Sequence, residues 1–310
     1  MKTDITISEV GPRDGLQSIK SIMPTASKKA WIKAQYEAGT AEIEVGSFVP
    51  PKILPQMADS AEIVAFATTL EGLDVAALVP NLRGLENAVA AGAHKISIPL
   101  SMSESHSLRN VRKTHAEMLV EIAHCIDYLD TLPSTQRPKF EVGLATAFGC
   151  TIEGQIPEER VISMAEKVLE IGVDEVGLSD TTGYGNPAQL RRLVLGIWKH
   201  CGKDKLQGVH LHNTRGQGLA NALMALELGI TTIDSSLGGI GGCPWAPGAS
   251  GNIVTEDLVF FLESMGLHTG IDLEKLLTVR ELVQKALPDE PMYGFIPEAG
   301  LPKGFHSSAK

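Results

Sequence analysis

The stretch "EIGVDEVGLSD" (residues 170–180) decides the fold. A glutamate-bearing helical run ends, a glycine follows, and a short run containing β-branched residues begins within a few positions. The glycine suits a left-handed position at a helix C-terminus. Working outward, the same design returns in "EAGTAEIEVGS" (37–47), "AAGAHKISIPL" (90–100) and "ELGITTIDSSL" (227–237). A repeated helix–glycine–strand unit indicates a parallel sheet. Filling the gaps predicts eight strands, at about 5–10, 41–47, 74–79, 94–100, 139–146, 174–179, 206–212 and 231–236. Helical patterns such as "TASKKAWIKAQYEAG" (25–39) and "PEERVISMAEKVLEIG" (157–172) separate them. The expected fold is α/β, a closed (β/α)8 TIM barrel with a C-terminal helical extension. The doubly wound open sheet is the rival, but no G-x-G-x-x-G follows the first strand. No linker divides the chain, since "LDTLPSTQRPK" (129–139) reads as a polar turn between units. One domain over 1–310 is expected, with the barrel over about 4–265 and the helical tail over about 270–310.

Composition narrows the function. The 310 residues suit a decorated barrel, and 31 glycines suit tight αβ turns. The formal net charge of -10 argues against a nucleic-acid or anionic-membrane surface, so neither partner is expected. Cys125, Cys150, Cys201 and Cys243 show no pairing pattern, which fits a reducing compartment. The opening "MKTDITISEVG" is already strand-like and leaves no room for a leader, so a cytoplasmic location is expected. No apolar run approaches a membrane span.

In such barrels chemistry gathers at the C-terminal ends of the strands. "EVGPRDGLQ" (9–17) leaves strand one with Arg13, Asp14 and Gln17. Strand two ends near Glu44, followed by Ser47, and strand six ends at Asp180. "GVHLHNTRGQG" (208–218) ends strand seven with His210 and His212, and carries Arg215 in the loop beyond. Residues i and i+2 of a strand share a face, so both imidazoles point one way and can clamp a metal. "GGIGGCPWAPGASGN" (238–252) follows strand eight with Cys243 and Asn252. Each residue also has a plain structural reading. Arg13 and Asp14 could be a loop ion pair, Glu44 and Asp180 helix caps, Asn252 an N-cap, Cys243 an inert thiol.

The motifs "EVGPRDGLQ", "SFVPPKILPQMAD" (47–59), "SDTTGYGNP" (179–187), "HLHNTRGQGLANALMALELG" (210–229) and "SSLGGIGGCPWAPGASGNIVTEDLV" (235–259) are together highly specific. They resemble the 3-hydroxy-3-methylglutaryl-CoA lyase family, within the DRE-TIM metallolyases, over about residues 4–275. The resemblance implies a TIM barrel and a divalent metal ion, Mg²⁺ or Mn²⁺, held by Asp14, His210, His212 and Asn252. Two imidazoles with oxygen donors suit such a cation better than a thiolate zinc site. It implies that Arg13 polarises the thioester, Cys243 is an acid/base, and Glu44 and Asp180 are active-site acids. His210 is the first choice for taking the hydroxyl proton. Arg13, Gln17, Ser47 and Arg215 are the candidate substrate contacts. An acyl-CoA substrate and a homo-oligomer, dimer or tetramer, are the expected partners.

The implied reaction cleaves 3-hydroxy-3-methylglutaryl-CoA to acetyl-CoA and acetoacetate. Two departures bear on the acyl group: Arg215 and Trp245 each stand where the family has tyrosine. The same chemistry on citramalyl-CoA or a longer-branched 3-hydroxyglutaryl-CoA is one alternative. A condensing enzyme of the isopropylmalate synthase type is another, which the cysteine loop and the lack of a long C-terminal regulatory domain oppose. Lys20, Lys52, Arg109, Arg112 and Lys113 are candidate coenzyme A phosphate contacts by charge alone.

Overall fold

The computed structural model describes residues 3–241 and 251–305. Eight parallel strands close into a barrel in sequence order. They are β1 (Thr6–Glu9), β2 (Glu42–Ser47), β3 (Asp74–Leu78), β4 (Lys95–Ser101), β5 (Lys139–Ala145), β6 (Glu175–Ser179), β7 (Gly208–His210) and β8 (Thr232–Ser235). The principal helices are α1 (Thr25–Glu37), α2 (Ser60–Ala67), α3 (Leu82–Ala91), α4 (Glu104–Asn110), α5 (His115–Leu129), α6 (Glu158–Ile171), α7 (Pro187–Cys201), α8 (Gly218–Leu228), α9 (Thr255–Ser264) and α10 (Leu273–Ala286). The repeat holds at its glycines. Gly92, Gly172 and Gly229 are left-handed C-caps, and Gly39 takes φ 103° one residue past the cap of α1. Only glycine adopts that backbone without strain, so each marks where a helix must stop.

Strand β7 is shorter than the expected 206–212. Past His210 the chain leaves the sheet to meet the segment that returns from β8. His212 bridges Asn252, the Asn213 amide donates to the Gly251 carbonyl at 3.2 Å, and the Ile253 amide donates to the Leu211 carbonyl at 3.3 Å. The tail also differs from a wholly helical extension. Helix α10 is followed by an irregular stretch with one short turn, Ile296–Ala299, because Pro288, Pro291 and Pro297 remove amide donors. The Asp257 carboxylate anchors that stretch by accepting the Phe295 and Ile296 amides at 2.9 Å. No helix among the described residues is long and apolar enough to cross a membrane.

Each strand alternates. On β4, Ile96, Ile98 and Leu100 are fully buried in the core shared with Met118 and Ile122 of α5. Their neighbours Lys95, Ser97 and Pro99 face the barrel axis and line a cavity of about 670 Å³. On β5 the inward residues are Glu141, Gly143 and Ala145, on β6 Gly177 and Ser179, on β7 Gly208 and His210, on β8 Thr232 and Asp234. Branched side chains usually fill such a barrel as packed layers. Here most branched strand residues face the helices, and most inward ones are small or polar. Much of the hydrophobic stabilisation therefore comes from the strand–helix layer, and the axis stays open as a well with charged groups at its floor and mouth. Its floor is an ion cluster: Lys95 Nζ lies 2.9 Å from Glu141, 3.5 Å from Glu175 and 3.8 Å from Glu42.

Candidate active site

The mouth of the well is built by the chain leaving β1. After Glu9 it turns sharply through Gly11–Gly15, with the Val10 carbonyl accepting the Arg13 amide at 3.1 Å and the Asp14 amide at 2.7 Å. That turn is fixed by Glu9, which is fully buried and faces away from the axis. Its carboxylate accepts the Gly11 and Leu237 amides at 2.9 Å each and the Thr255 hydroxyl at 2.8 Å. One side chain thereby joins the turn after β1 to the loop after β8 and the start of α9. Burial pushes the Glu9 carboxyl up to about 8 in spite of those donors.

Held this way, Arg13 spans two carboxylates. Its Nε donates to Glu44 Oε2 at 2.5 Å and its Nη1 to Asp14 Oδ1 at 2.7 Å. Ser97 completes the shell with its hydroxyl 3.1 Å from Glu44 Oε1. Burial opposes the charge on Arg13, and Glu44 and Asp14 outweigh it. Burial also opposes the charge on Asp14, yet Arg13 and the two imidazoles hold its carboxyl far below the usual range. Glu44 goes the other way, raised by burial that Arg13 only partly offsets. The planar guanidinium keeps its fork geometry and stays charged in this environment.

Across from Arg13, His210 and His212 bring Nε2 atoms within 3.1 Å, their rings tilted by 59°. One ligand atom from each of Asp14, His210 and His212 lies within 4.8 Å of the others. The two rings differ in their surroundings. His212 is lowered to about 4 by burial and then by the neighbouring His210 charge, so it presents a neutral ring. For His210 burial is outweighed by Asp234, whose Oδ2 sits 3.0 Å from Nδ1, and its pKa is raised. A histidine tied to a carboxylate through Nδ1 presents Nε2 as a more basic donor. Asn252 Nδ2 donates to Asp14 Oδ2 at 2.7 Å, while Asn252 Oδ1 is buried without a partner among the described residues. An orphan carbonyl oxygen, a carboxylate and two imidazoles in one cluster fit a hard or borderline divalent cation.

The expected residues divide by position. Arg13, Asp14, Gln17, Glu44, His210 and His212 line the cavity, and Asn252 stands beside Asp14. Asn252 is not the N-cap of α9, a place held by Val254. Asp180 is buried off the cavity, and its two oxygens accept the Tyr184 amide at 2.8 Å and the Gly185 amide at 3.0 Å. It organises its own loop, while Asn186 caps the following helix. Burial raises the Asp180 carboxyl to about 6. Ser47 is fully buried and does not line the cavity. Arg215 is exposed and spans two loops: Nη1 donates to the Thr182 carbonyl at 2.8 Å, and the guanidinium stacks 4.6 Å over Tyr184. Cys243 and Trp245 lie outside the described residues. Of the basic candidates, Arg109, Arg112 and Lys113 line one wall after β4, and Lys20 and Lys52 do not. Arg112 has φ 58°, a strained conformation that tends to mark functional segments.

Sequence reasoning missed Asp234, Ser97 and Glu9. The signal for the first two was strand parity, because Asp234 alternates with Ile233, and Ser97 with Ile96 and Ile98. His106, with Nδ1 buried and unpaired among the described residues, also lines the cavity and was missed.

A closed parallel barrel with a convergent set of titratable side chains at the C-terminal mouth defines a TIM-barrel enzyme. The HMGL-like family model matches residues 4–283, and the chain belongs to that family. It is 39% identical over 295 residues to the hydroxymethylglutaryl-CoA lyase YngG of Bacillus subtilis, covering 94% of this chain and 97% of that one. It is 39% identical to the mitochondrial hydroxymethylglutaryl-CoA lyase of Mus musculus, covering 91% and 86%. Among solved structures it is similar to an HMG-CoA lyase of Acinetobacter baumannii in complex with coenzyme A and 3-methylmalate. The TM-score is 0.90 at 38% identity, with 99% of each chain covered.

Proposed function

We propose that this protein is a metal-dependent carbon–carbon lyase that cleaves 3-hydroxy-3-methylglutaryl-CoA to acetyl-CoA and acetoacetate. The observation that carries the reading is the meeting of Asp14, His210 and His212 within 4.8 Å, with Arg13 bonded to Asp14 beside them. Asp14, His210, His212 and Asn252 would hold Mg²⁺ or Mn²⁺, which acidifies a hydroxyl and fixes its orientation when bound. With its Nε2 off the ion, His210 can take the proton of the substrate's C3 hydroxyl, and Asp234 at 3.0 Å from Nδ1 then stabilises the charge the ring gains. As the oxygen becomes a carbonyl, the C2–C3 bond breaks and its electron pair moves onto the thioester as an enolate. Arg13, held by Glu44 and Asp14, presents fixed positive charge to the enolate oxygen. Protonation at C2 then yields acetyl-CoA, a step assigned to Cys243 on family resemblance. Glu44 acts through Arg13 and Asp180 through its loop, so both are positioning residues.

Arg109 and Arg112 supply a basic wall for the phosphates of an acyl-CoA on a chain whose net charge is -10, while Lys113 beside them is paired with Glu121. The test is a cleavage assay on 3-hydroxy-3-methylglutaryl-CoA with added Mg²⁺ or Mn²⁺, following acetyl-CoA and acetoacetate. Activity that disappears on chelation and returns with the ion supports the reading. Full turnover after exhaustive chelation, or no cleavage with either ion, sinks it.

A further inference from the structure

Among the described residues, two that are not glycine take a positive φ, Thr146 at 56° and Arg112 at 58°. A left-handed backbone is uncommon for any residue with a Cβ and a genuine outlier for a β-branched one. Such conformations persist only where the surroundings over-determine them, and they gather at functional sites. Thr146 is fully buried and follows directly on β5. Its Oγ1 pairs with the Ser101 hydroxyl at 2.9 Å and accepts the Ser103 amide at 3.1 Å. Its own amide donates to Thr181 Oγ1 at 2.8 Å, and its carbonyl accepts the Gly149 amide at 3.2 Å. A glycine would take this backbone without strain. It would lack the hydroxyl, so what the strained threonine supplies is the pair of bonds that Oγ1 makes.

Those bonds join separate pieces of the mouth. Ser101 ends β4, and Ser103 is the N-cap of α4, where its hydroxyl accepts the His106 amide at 3.1 Å. Helix α4 carries His106, Arg109 and Asn110 into the cavity wall, and Arg112 follows its end. The wall is thus bracketed by the two strained residues, with Thr146 bonded to its start and Arg112 just past its end. On the other side, Thr181 lines the cavity next to Asp180, whose amide donates to the His210 carbonyl at 2.8 Å. Thr146 is therefore bonded both to the cap of the basic wall and to the loop that leads to His210. On the lyase reading the wall meets the coenzyme A phosphates, while the bond that breaks lies by His210 and Arg13. Binding energy gathered on a remote part of a substrate speeds the reaction only where the geometry carries it to the reacting centre.

We propose that Thr146 is a positioning residue that holds the α4 wall in register with the reacting centre, so that contacts to the coenzyme serve the cleavage step. The inference rests on the lyase reading and adds to it how the wall acts. The test compares two thioesters of the same acyl group, one of coenzyme A and one of N-acetylcysteamine, a thiol without phosphates. With Mn²⁺ present, kcat and KM are measured for both in the wild type, Thr146→Gly and Thr146→Ser. The wild type is expected to favour the coenzyme A ester in kcat/KM. Thr146→Gly relieves the backbone and drops the hydroxyl. It is expected to shrink that preference at least about tenfold, chiefly through kcat on the coenzyme A ester, since a misplacement of about 1 Å can cost about 10²-fold. Thr146→Ser keeps the hydroxyl and is expected to hold the preference within about threefold of the wild type. A role confined to folding would lower the active fraction and scale both esters alike, leaving the preference unchanged. An unchanged preference in Thr146→Gly, or an equal loss in Thr146→Ser, overturns the proposal and leaves the lyase reading standing. If the glycine variant does not fold, Thr146→Val, which keeps the shape and lacks the hydroxyl, carries the same expectation. Failure of the wild type to cleave either ester overturns both.

Discussion

Two clusters of charge lie inside the same barrel, one at its mouth and one at its floor, and they are built for different ends. At the floor Lys95 sits among Glu42, Glu141 and Glu175, and Lys139 reaches Glu175 at 2.6 Å. Burial opposes the Lys95 charge, yet these carboxylates raise its pKa well above the usual value. At the mouth Arg13 is satisfied by Glu44 and Asp14, but the cluster as a whole is not. Asn252 Oδ1 has no partner among the described residues, and the His210 and His212 Nε2 atoms face each other. Buried polar groups are normally paired, so a cluster with vacant acceptors points to a ligand, while one closed on itself points to structure. The difference teaches that burial and charge do not identify a site. Unsatisfied donor and acceptor capacity does.

The largest expected effect tests the mouth. Arg13→Gln should lower kcat on 3-hydroxy-3-methylglutaryl-CoA by about 10²–10³, as loss of one preorganised group at a developing charge does. A variant in which only KM rose would move Arg13 to ground-state binding. The floor should respond in the other coordinate. Lys95→Met leaves Glu42 and Glu141 without their lysine, while Glu175 keeps Lys139, and should cost about 3 kcal/mol in urea unfolding, near the lower end for a broken buried pair because 17% of its side chain is open. A stability unchanged within error would make the floor cluster dispensable and the contrast with the mouth invalid.

A pH-dependent effect of similar size sharpens the boundary between the two. Asp180 is raised from the usual 3.8 to about 6 by burial, so the folded protein binds its proton more tightly than the unfolded chain does. The sign follows from that. Its contribution to stability is complete below about pH 4 and is lost as the pH rises through 6. At about 1.4 kcal/mol for each pKa unit, the loss reaches about 3 kcal/mol. Asp180→Asn should therefore gain on the wild type in unfolding free energy between pH 4 and 7. Parallel pH curves for the two proteins would remove Asp180 from the titrating groups. The smallest effect belongs to Arg215, whose exposed stacking on Tyr184 is worth about 0.5–1 kcal/mol. Arg215→Ala should lower Tm slightly and loosen the loops after β6 and β7, read as faster amide exchange at Gly183 and Tyr184. Unaltered exchange there would show that the bridge holds nothing.

The sequence by itself determined the architecture. Helix–glycine–strand punctuation at Gly39, Gly92, Gly172 and Gly229 is local chemistry, since a left-handed residue after a helix needs glycine whatever surrounds it. The same locality made the His210–His212 pair readable, because strand parity alone places both rings on one face. What only the tertiary structure decided is the partnership of residues distant along the chain. Glu9 reaches Thr255, Arg13 reaches Glu44, and Asp14 reaches Asn252 across 238 positions. No local pattern encodes those bonds; barrel closure brings β1 beside β8 and sets them. The same closure decided that Asp180 turns into its own loop while Asp234 turns toward His210. Two aspartates of equal chemistry thus received different work, because parity and curvature put one carboxylate among backbone amides and the other against an imidazole.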